Sequence, residues 1–584
     1  MKIPTKFLAG LGATLLAAAS GLSSSAVYDP ATRSSEDVVL IGIDEIQGGY
    51  GERRTSPIVP AGGKEAICLD GFTADLCDAT DPERNSFASN ILPICDSAKQ
   101  ENCVESFGMY DSEGNRLTAT FMRNIDGPDF PADEKLGLHK GSTHSLWKVS
   151  GAPNESGSET YALVVQEGQG YSPSKGRFTT DRFSVNLLPY TEVYGPQYES
   201  VSYGVHEFPD GTTSAGYGGG GGGQGCAWAE DGVCGLRQDF GTVRGVDLVI
   251  RVSSDITGWF NGRLQSPSLT VEKFSETNIR ISISAEAVEV PRFLVRYPKA
   301  DLTTKYEAAL RVEARGSGGV GGQGVSTYYG VMPGSKTAVT WINRYRDLAD
   351  DKADGSSVIW NFSTIFFKSQ NKCLSDSTQV LGLVTTNSSA FEDGPPNFTD
   401  GYLSYSVAGL HHANDGETLN LGTYDMVMRT DVARCLYGFS KAPVSATVQV
   451  VTADGEQAVA STMVSETDGW LKLAANNFTF SEKEIRVQVT QVQNKTLTKF
   501  AGTTRVLTSK QKNELKALVT KSKGNPKFIC TGIYVSAKDK VTALKRARAA
   551  CDYAKSLDKD HSYWAQAKQT KAKSYDGKVM VVSK

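Results

Sequence analysis

Val444-Ser-Ala-Thr-Val-Gln-Val450, running on through Val451-Thr-Ala-Asp-Gly455, is the stretch that sets the fold class. Val444, Ala446, Val448 and Val450 recur at every second residue. Side chains alternate across an extended chain, so this pattern predicts a strand with one buried face. Asp454-Gly455 then stands between two strand-like runs, the strongest short-range signal for a hairpin. Further out, Ile485, Val487 and Val489 supply a closing strand, and the apolar and aromatic run from Val358 to Phe367 is long enough for a central one. Short strands at regular spacing predict an immunoglobulin-like or related β-sandwich over residues 336–494.

The rest of the chain agrees in class. Its 584 residues include 59 glycines and few long helical periods, so the body reads as mainly β and multidomain, with roughly three to five domains. Residues 196–335 form a Gly-rich β domain with alternating strands Val246–Val252, Leu269–Phe274 and Ile279–Ile283. Pro291 makes Val288–Tyr297 an edge or bent strand. Gly216 to Gly225 lacks the strand, helix and Lys-Ser/Thr that a phosphate-binding loop requires, which leaves a flexible loop. Residues 27–195 form a loop-rich, disulfide-containing β domain, with strands at Asp37–Ile43, Leu117–Met122 and Tyr161–Gln166.

Lys2 and Lys6 precede an apolar run from Phe7 to about Leu22, and Ser24 with Ala26 provide small residues for cleavage, so residues 1–26 read as a signal peptide. No later segment is long and apolar enough to cross a bilayer. The ten cysteines fall as neighbours, and an oxidising compartment predicts bridges within the pairs Cys68 and Cys77, Cys95 and Cys103, Cys226 and Cys234, Cys373 and Cys435, and Cys530 and Cys551. No closely spaced ligand pair points to zinc, and no metal or other cofactor is expected. Asp126, Asp129, Asp133 and Glu134, and again Asp347, Asp350, Asp351 and Asp354, resemble calcium loops in composition but not in spacing. His139 and His144 near Trp147 suggest either a metal pair or a sugar-stacking platform, against the plainer reading of a polar surface. His411 and His412 are adjacent and so point to opposite faces of a strand. The hydrolase motifs G-x-S-x-G and H-E-x-x-H are missing, and the S-x-x-K at Ser172 to Lys175 has no companions, so no catalytic residues are assigned.

Residues 495–584 differ from all of this. They carry 21 Lys or Arg and 6 Asp or Glu, which leaves 40 and 59 of the chain's 61 and 65 for everything before Lys495. Thr508 and Gln511 form a capping box ahead of a helix with an apolar face of Leu515, Leu518 and Val519. A strand at Phe528–Val535, a helix at Lys540–Leu557 and strands at Tyr563–Ala572 and Lys578–Val582 complete a β-α-β-α-β-β order.

Phe500-x-Gly-x-x-x-x-Leu507-Thr508, Thr531-Gly532 and Arg546-Ala-Arg-Ala-Ala-Cys-Asp-Tyr553 resemble an OmpA-like domain, a family that anchors proteins to peptidoglycan. Arg546 matches that family's ligand-binding arginine, while Val535 stands where the family carries an aspartate. The resemblance implies a cell-wall ligand held by Arg546, Arg548 and Asp539. The body, including Cys435-Leu-Tyr-Gly-Phe-Ser-Lys-Ala-Pro443, resembles uncharacterised secreted multidomain proteins of actinobacteria. Independently, a strongly basic module attracts polyanions such as anionic wall polymers, and export argues against nucleic acid as a partner. The expected function is therefore a secreted, extracellular or wall-associated surface protein of adhesion or structural type. It would be non-enzymatic and tethered by its C-terminal module, with a further glycan or protein ligand for the body. The competing expectation is a secreted carbohydrate-binding protein or a glycoside hydrolase with two carboxylates.

Overall fold

The structure, a computed structural model, describes residues 38–43, 56–61, 78–81, 85–127, 129–198, 202–207, 213–218, 225–316, 328–365, 369–392, 394–399, 402–437, 444–452, 457–458, 461–480, 483–491, 493–522, 527–559 and 561–583. The signal-like segment, Cys68, Cys77 and most of the first glycine run lie outside them. Strands make up 50% and helices 18%, so the chain is mainly β. No described helix is long and apolar enough to cross a membrane.

The opening stretch lies in a face-to-face pair of sheets. Val444–Thr452 pairs with Lys483–Gln491, which pairs with Tyr402–Ala408. Val450 and Val451 also face Ala458 and Gln457 across the expected hairpin, whose turn at 453–456 lies outside the described residues. The facing sheet runs Gly258–Arg263, Val380–Thr386, Leu421–Arg429, Trp470–Thr479 and Ser461–Thr467. Between the two sheets Tyr405, Val407, Tyr424, Met426, Met428, Leu471, Leu473, Ile485 and Val487 form one apolar core.

The facing sheet is buried on its other side as well. Val427 and Leu383 join a second, larger cluster with Phe260, Trp360 and Phe362. That double burial explains why Val380–Thr386 is buried at every position rather than alternating. Hydrogen bonds continue from Gly258–Arg263 to Ser356–Thr364 and on to Arg177–Tyr194, so residues far apart in sequence share one sheet. Ser172 to Lys175 form the turn between the long strands Thr160–Ser172 and Arg177–Tyr194.

Pro291 splits its segment instead of bending it. Val288–Pro291 pairs with Ser356–Thr364, whereas Leu294–Pro298 pairs with Val38–Ile43 in a different sheet. A proline has no N–H for the ladder, so the strand stops there and the chain changes layer. Among the described residues, three α-helices interrupt the β body, at Thr304–Gly316, Lys336–Tyr345 and Thr430–Tyr437. In the second, Ala338, Trp341, Ile342 and Tyr345 are buried in a stripe of helical period, and the Ser335 hydroxyl caps its start by accepting from the Ala338 N–H. That stripe is legible in the sequence at 338, 341, 342 and 345.

Disulfides join Cys95 to Cys103, Cys226 to Cys234, Cys373 to Cys435 and Cys530 to Cys551. Two acidic groups of the second calcium-like loop are engaged by basic neighbours. Asp351 holds the His411 ring, and Asp354 pairs with Arg292 and Arg296. Among the described residues no three His, Cys, Asp or Glu side chains converge to hold a metal ion.

The C-terminal unit is α/β, with strand order Gln493–Thr496, Val579–Ser583, Lys527–Tyr534 and Ser562–Gln569. Ser509–Lys521 carries the expected capping box, and Lys540–Leu557 packs on the sheet through Ala547, Ala550, Cys551 and Ala554. Gly532 sets how closely that helix approaches: a Cβ there would lie 1.9 Å from the Ala543 carbonyl oxygen and 2.4 Å from its carbon. Both obstacles are backbone, so neither can rotate away. Gly532→Ala is therefore expected to destabilise the unit by about 3 kcal/mol, the upper range for overpacking, measured as a lowered urea midpoint. An unchanged midpoint would show that the helix can move outward at little cost.

Candidate functional site

A groove of about 680 Å³ runs where the edge strand Gln493–Thr496 meets the helix Ser509–Lys521. The helix contributes Lys510, Asn513, Glu514, Ala517, Leu518 and Lys521 to it. These positions recur at three- and four-residue intervals and so fall on one stripe, next to the buried face of Leu515, Leu518 and Val519. The capping box at Thr508 fixes where the helix begins and hence which residues face the strand. Glu514 is bound locally: one oxygen accepts from the Thr498 N–H at 3.0 Å and the other from its hydroxyl at 2.9 Å. That contact ties the helix to the chain leaving the strand.

Lys495, Lys510 and Lys521 are exposed and have no ion-pair partner among the described residues. Their charges face solvent together with the amide side chains of Asn494 and Asn513. The groove thus offers cationic groups for an anionic ligand and amides for its hydroxyls. Sequence reasoning found the net charge of this module but not these residues. The stripe 510, 513, 517 and 521 was a usable signal, although the strand across the groove could not have been assigned from it.

Arg546 and Asp539 are close enough to interact electrostatically, whereas Arg548 stands apart from them. The Arg546 guanidinium is buried over the Phe500 ring, donating to the Thr504 carbonyl at 2.8 Å and to the Gly502 carbonyl. Burial lowers its pKa, opposed by Asp576 and Asp539. Arg548 is exposed two residues further along the same helix, and hence turned well away from Arg546. Asp539 immediately precedes the helix without capping it. Val535 donates its backbone N–H to Asp576 at 3.0 Å. Arg546 accordingly organises the loop 500–504 beneath it.

The histidines separate too. His144 is fully buried, and Trp147 is packed edge-on against Phe107 and Phe121, with its indole N–H donating to Ser145. An indole enclosed in this way offers no face to a sugar, and only His139 reaches an open surface. His411 is held by Asp351, as its N–H and ring both show.

The fold and groove define a mainly β, disulfide-linked protein with a basic groove at the edge of its C-terminal sheet. The family model for PP2, phloem protein 2, a lectin-like domain, matches residues 413–499. The match takes strands from both sheets of the sandwich and runs through Gln493, Asn494 and Lys495 of the groove to residue 499. No curated protein and no solved structure matches the chain. The match corrects the family expectation. It falls almost wholly on the sandwich and enters 495–584 only as far as residue 499, so the OmpA-like reading is not sustained and the wall tether derived from it loses its support. The likeness of the body to secreted actinobacterial proteins finds no relative either. The motif residues led elsewhere for a physical reason. Arg546, Gly532 and Thr508 are each accounted for by loop anchoring, close helix packing and capping.

Proposed function

We propose that the protein is a secreted glycan-binding protein, and that its groove takes an acidic glycan. The observation that carries this reading is the phloem protein 2 match, a carbohydrate-binding, lectin-like domain whose matched residues run into the groove wall. The four described disulfides support an extracellular setting. Lysines 495, 510 and 521 pair with the carboxylates of uronic acid units, while Asn494 and Asn513 hydrogen-bond ring hydroxyls. Such binding weakens as salt screens the lysines.

The full chain is expected to bind polygalacturonate by titration calorimetry more tightly than neutral dextran. Replacing Lys495, Lys510 and Lys521 together by Glu should weaken it at least tenfold, since three attractive charges become repulsive. Unchanged affinity in the triple variant would remove the groove from the mechanism. Binding to neither polymer would remove the reading itself.

A further inference from the structure

A second cleft, of about 880 Å³, opens on the body far from the groove in sequence, and His139 lines it together with Lys140, Arg177, Ser254 and Asn278. Beneath His139 lies a set of polar side chains that the rest of the core does not need. Glu167 and Gln169 project from one face of the strand Thr160–Ser172, and Asn90 stands opposite Glu167 on the neighbouring strand. All three are essentially inaccessible to solvent. Gln169 Oε1 accepts from the His139 backbone N–H at 2.9 Å, and Asn90 Nδ2 donates to the His139 carbonyl at 2.9 Å. Gln169 also accepts from Asn90 at 2.8 Å and donates to the Gly137 carbonyl at 3.0 Å. Glu167 Oε1 accepts from the Ser253 N–H at 3.1 Å, and Glu167 Oε2 lies 2.6 Å from His139 Nδ1.

Three buried polar residues thus fix one histidine by its N–H, its carbonyl and its ring. Apolar side chains would fill the same volume without desolvating a carboxylate, so stability does not account for the arrangement. A carboxylate accepts, which assigns a proton to Nδ1, and in the neutral ring Nε2 then carries the lone pair. Among the described residues Nε2 has no hydrogen-bond partner, and it is not one of the buried polar atoms that lack one, so it faces the cleft.

We propose that this cleft is a hydrolytic site in which His139 is the general base, Glu167 its positioning residue, and an ester of a hydroxylated alcohol the substrate. His139 Nε2 takes a proton from water as the water oxygen bonds to the acyl carbon. The acyl carbon–oxygen bond to the alcohol then breaks, and the imidazolium returns its proton to the leaving alkoxide. A carboxylic acid and an alcohol result, with water the sole co-reactant. Lys140 is exposed, has no ion-pair partner among the described residues, and supplies positive charge for the developing oxyanion. The hydroxyl and amide groups of Ser254 and Asn278 suit a polar alcohol portion.

The test uses the full chain and 4-nitrophenyl acetate, followed over many turnovers so that simple acetylation of surface lysines does not count. Saturable hydrolysis is expected, with kcat/KM at least 100-fold lower in His139→Asn, the range for loss of a general base. Glu167→Gln should lower kcat about tenfold with KM unchanged, a split that a merely structural carboxylate would not produce. Should Glu167→Gln fail to fold, His139→Asn alone decides. Wild-type hydrolysis no faster than that of His139→Asn, or equal losses in kcat and 1/KM from a misfolded cleft, would overturn the proposal.

Discussion

At pH 8, Asp425→Asn is expected to stabilise the protein by roughly 4 kcal/mol, and at pH 4 to leave it nearly unchanged. Asp425 lies on the central strand Leu421–Arg429 and is 4% exposed. Its side chain points away from the sandwich core, toward the Ser266 N–H, which donates to it at 3.2 Å. Burial is the main reason its carboxyl is pushed up to about 7 from 3.8; Glu286 adds repulsion, while Ser266 and the cation of Lys472 oppose the rise without offsetting it. The folded chain therefore holds this proton more tightly than the unfolded chain. Between about pH 4 and 7 the native state binds more protons, so stability falls as pH rises through that window and stays low above it. The interval from 3.8 to about 7 corresponds to roughly 4 kcal/mol at 1.36 kcal/mol for each pH unit. Asn keeps an oxygen for the Ser266 N–H and carries no charge. Urea midpoints of both proteins at pH 4 and pH 8 check this; an equal difference at the two values would show that Asp425 is not the titrating group.

Removing the Cys373–Cys435 bridge is the second large effect. The two cysteines are 62 residues apart, against 8 for Cys95–Cys103 and Cys226–Cys234 and 21 for Cys530–Cys551. Loop-closure entropy grows with the logarithm of that separation. It gives about 4 kcal/mol for the long bridge and about 2.5 kcal/mol for the shortest ones. The long bridge also links the turn Lys372–Leu374 to the helix Thr430–Tyr437 at the margin of the sandwich core. Replacing both cysteines by Ser should therefore cost more than the same change at Cys226 and Cys234, judged by urea midpoints without reductant. The reverse order would mean that strain or residual structure, rather than chain entropy, decides the outcome.

Local patterns were reliable where one element carried its own signal. Thr508 and Gln511 cap the helix they were expected to cap, and Lys540–Leu557 begins and ends where its sequence indicates. The valine alternation from Val444 identified a strand of a two-sheet unit. The helix Lys336–Tyr345 was missed although its stripe is present, because composition favoured strands throughout the body. Site residues were less legible. Arg546 matched a motif but is occupied by the carbonyls of Gly502 and Thr504, and no feature of the sequence distinguishes a ligand-facing arginine from one that holds a loop.

Sequence by itself determined the β class, the cysteine pairs described in the structure, the two C-terminal helices with the capping box of the first, and the polarity of charge between the body and the last 90 or so residues. Each of these depends on neighbours along the chain or on composition. Only the tertiary structure decided that Leu421–Arg429 is buried on both faces, that Lys495 lies across a groove from Lys510 and Lys521, and that Glu167 and Asn90 meet beneath His139. Those facts depend on which strands pair and which faces pack. Strand pairing is set by contacts between residues up to nearly three hundred positions apart, and no local pattern encodes them.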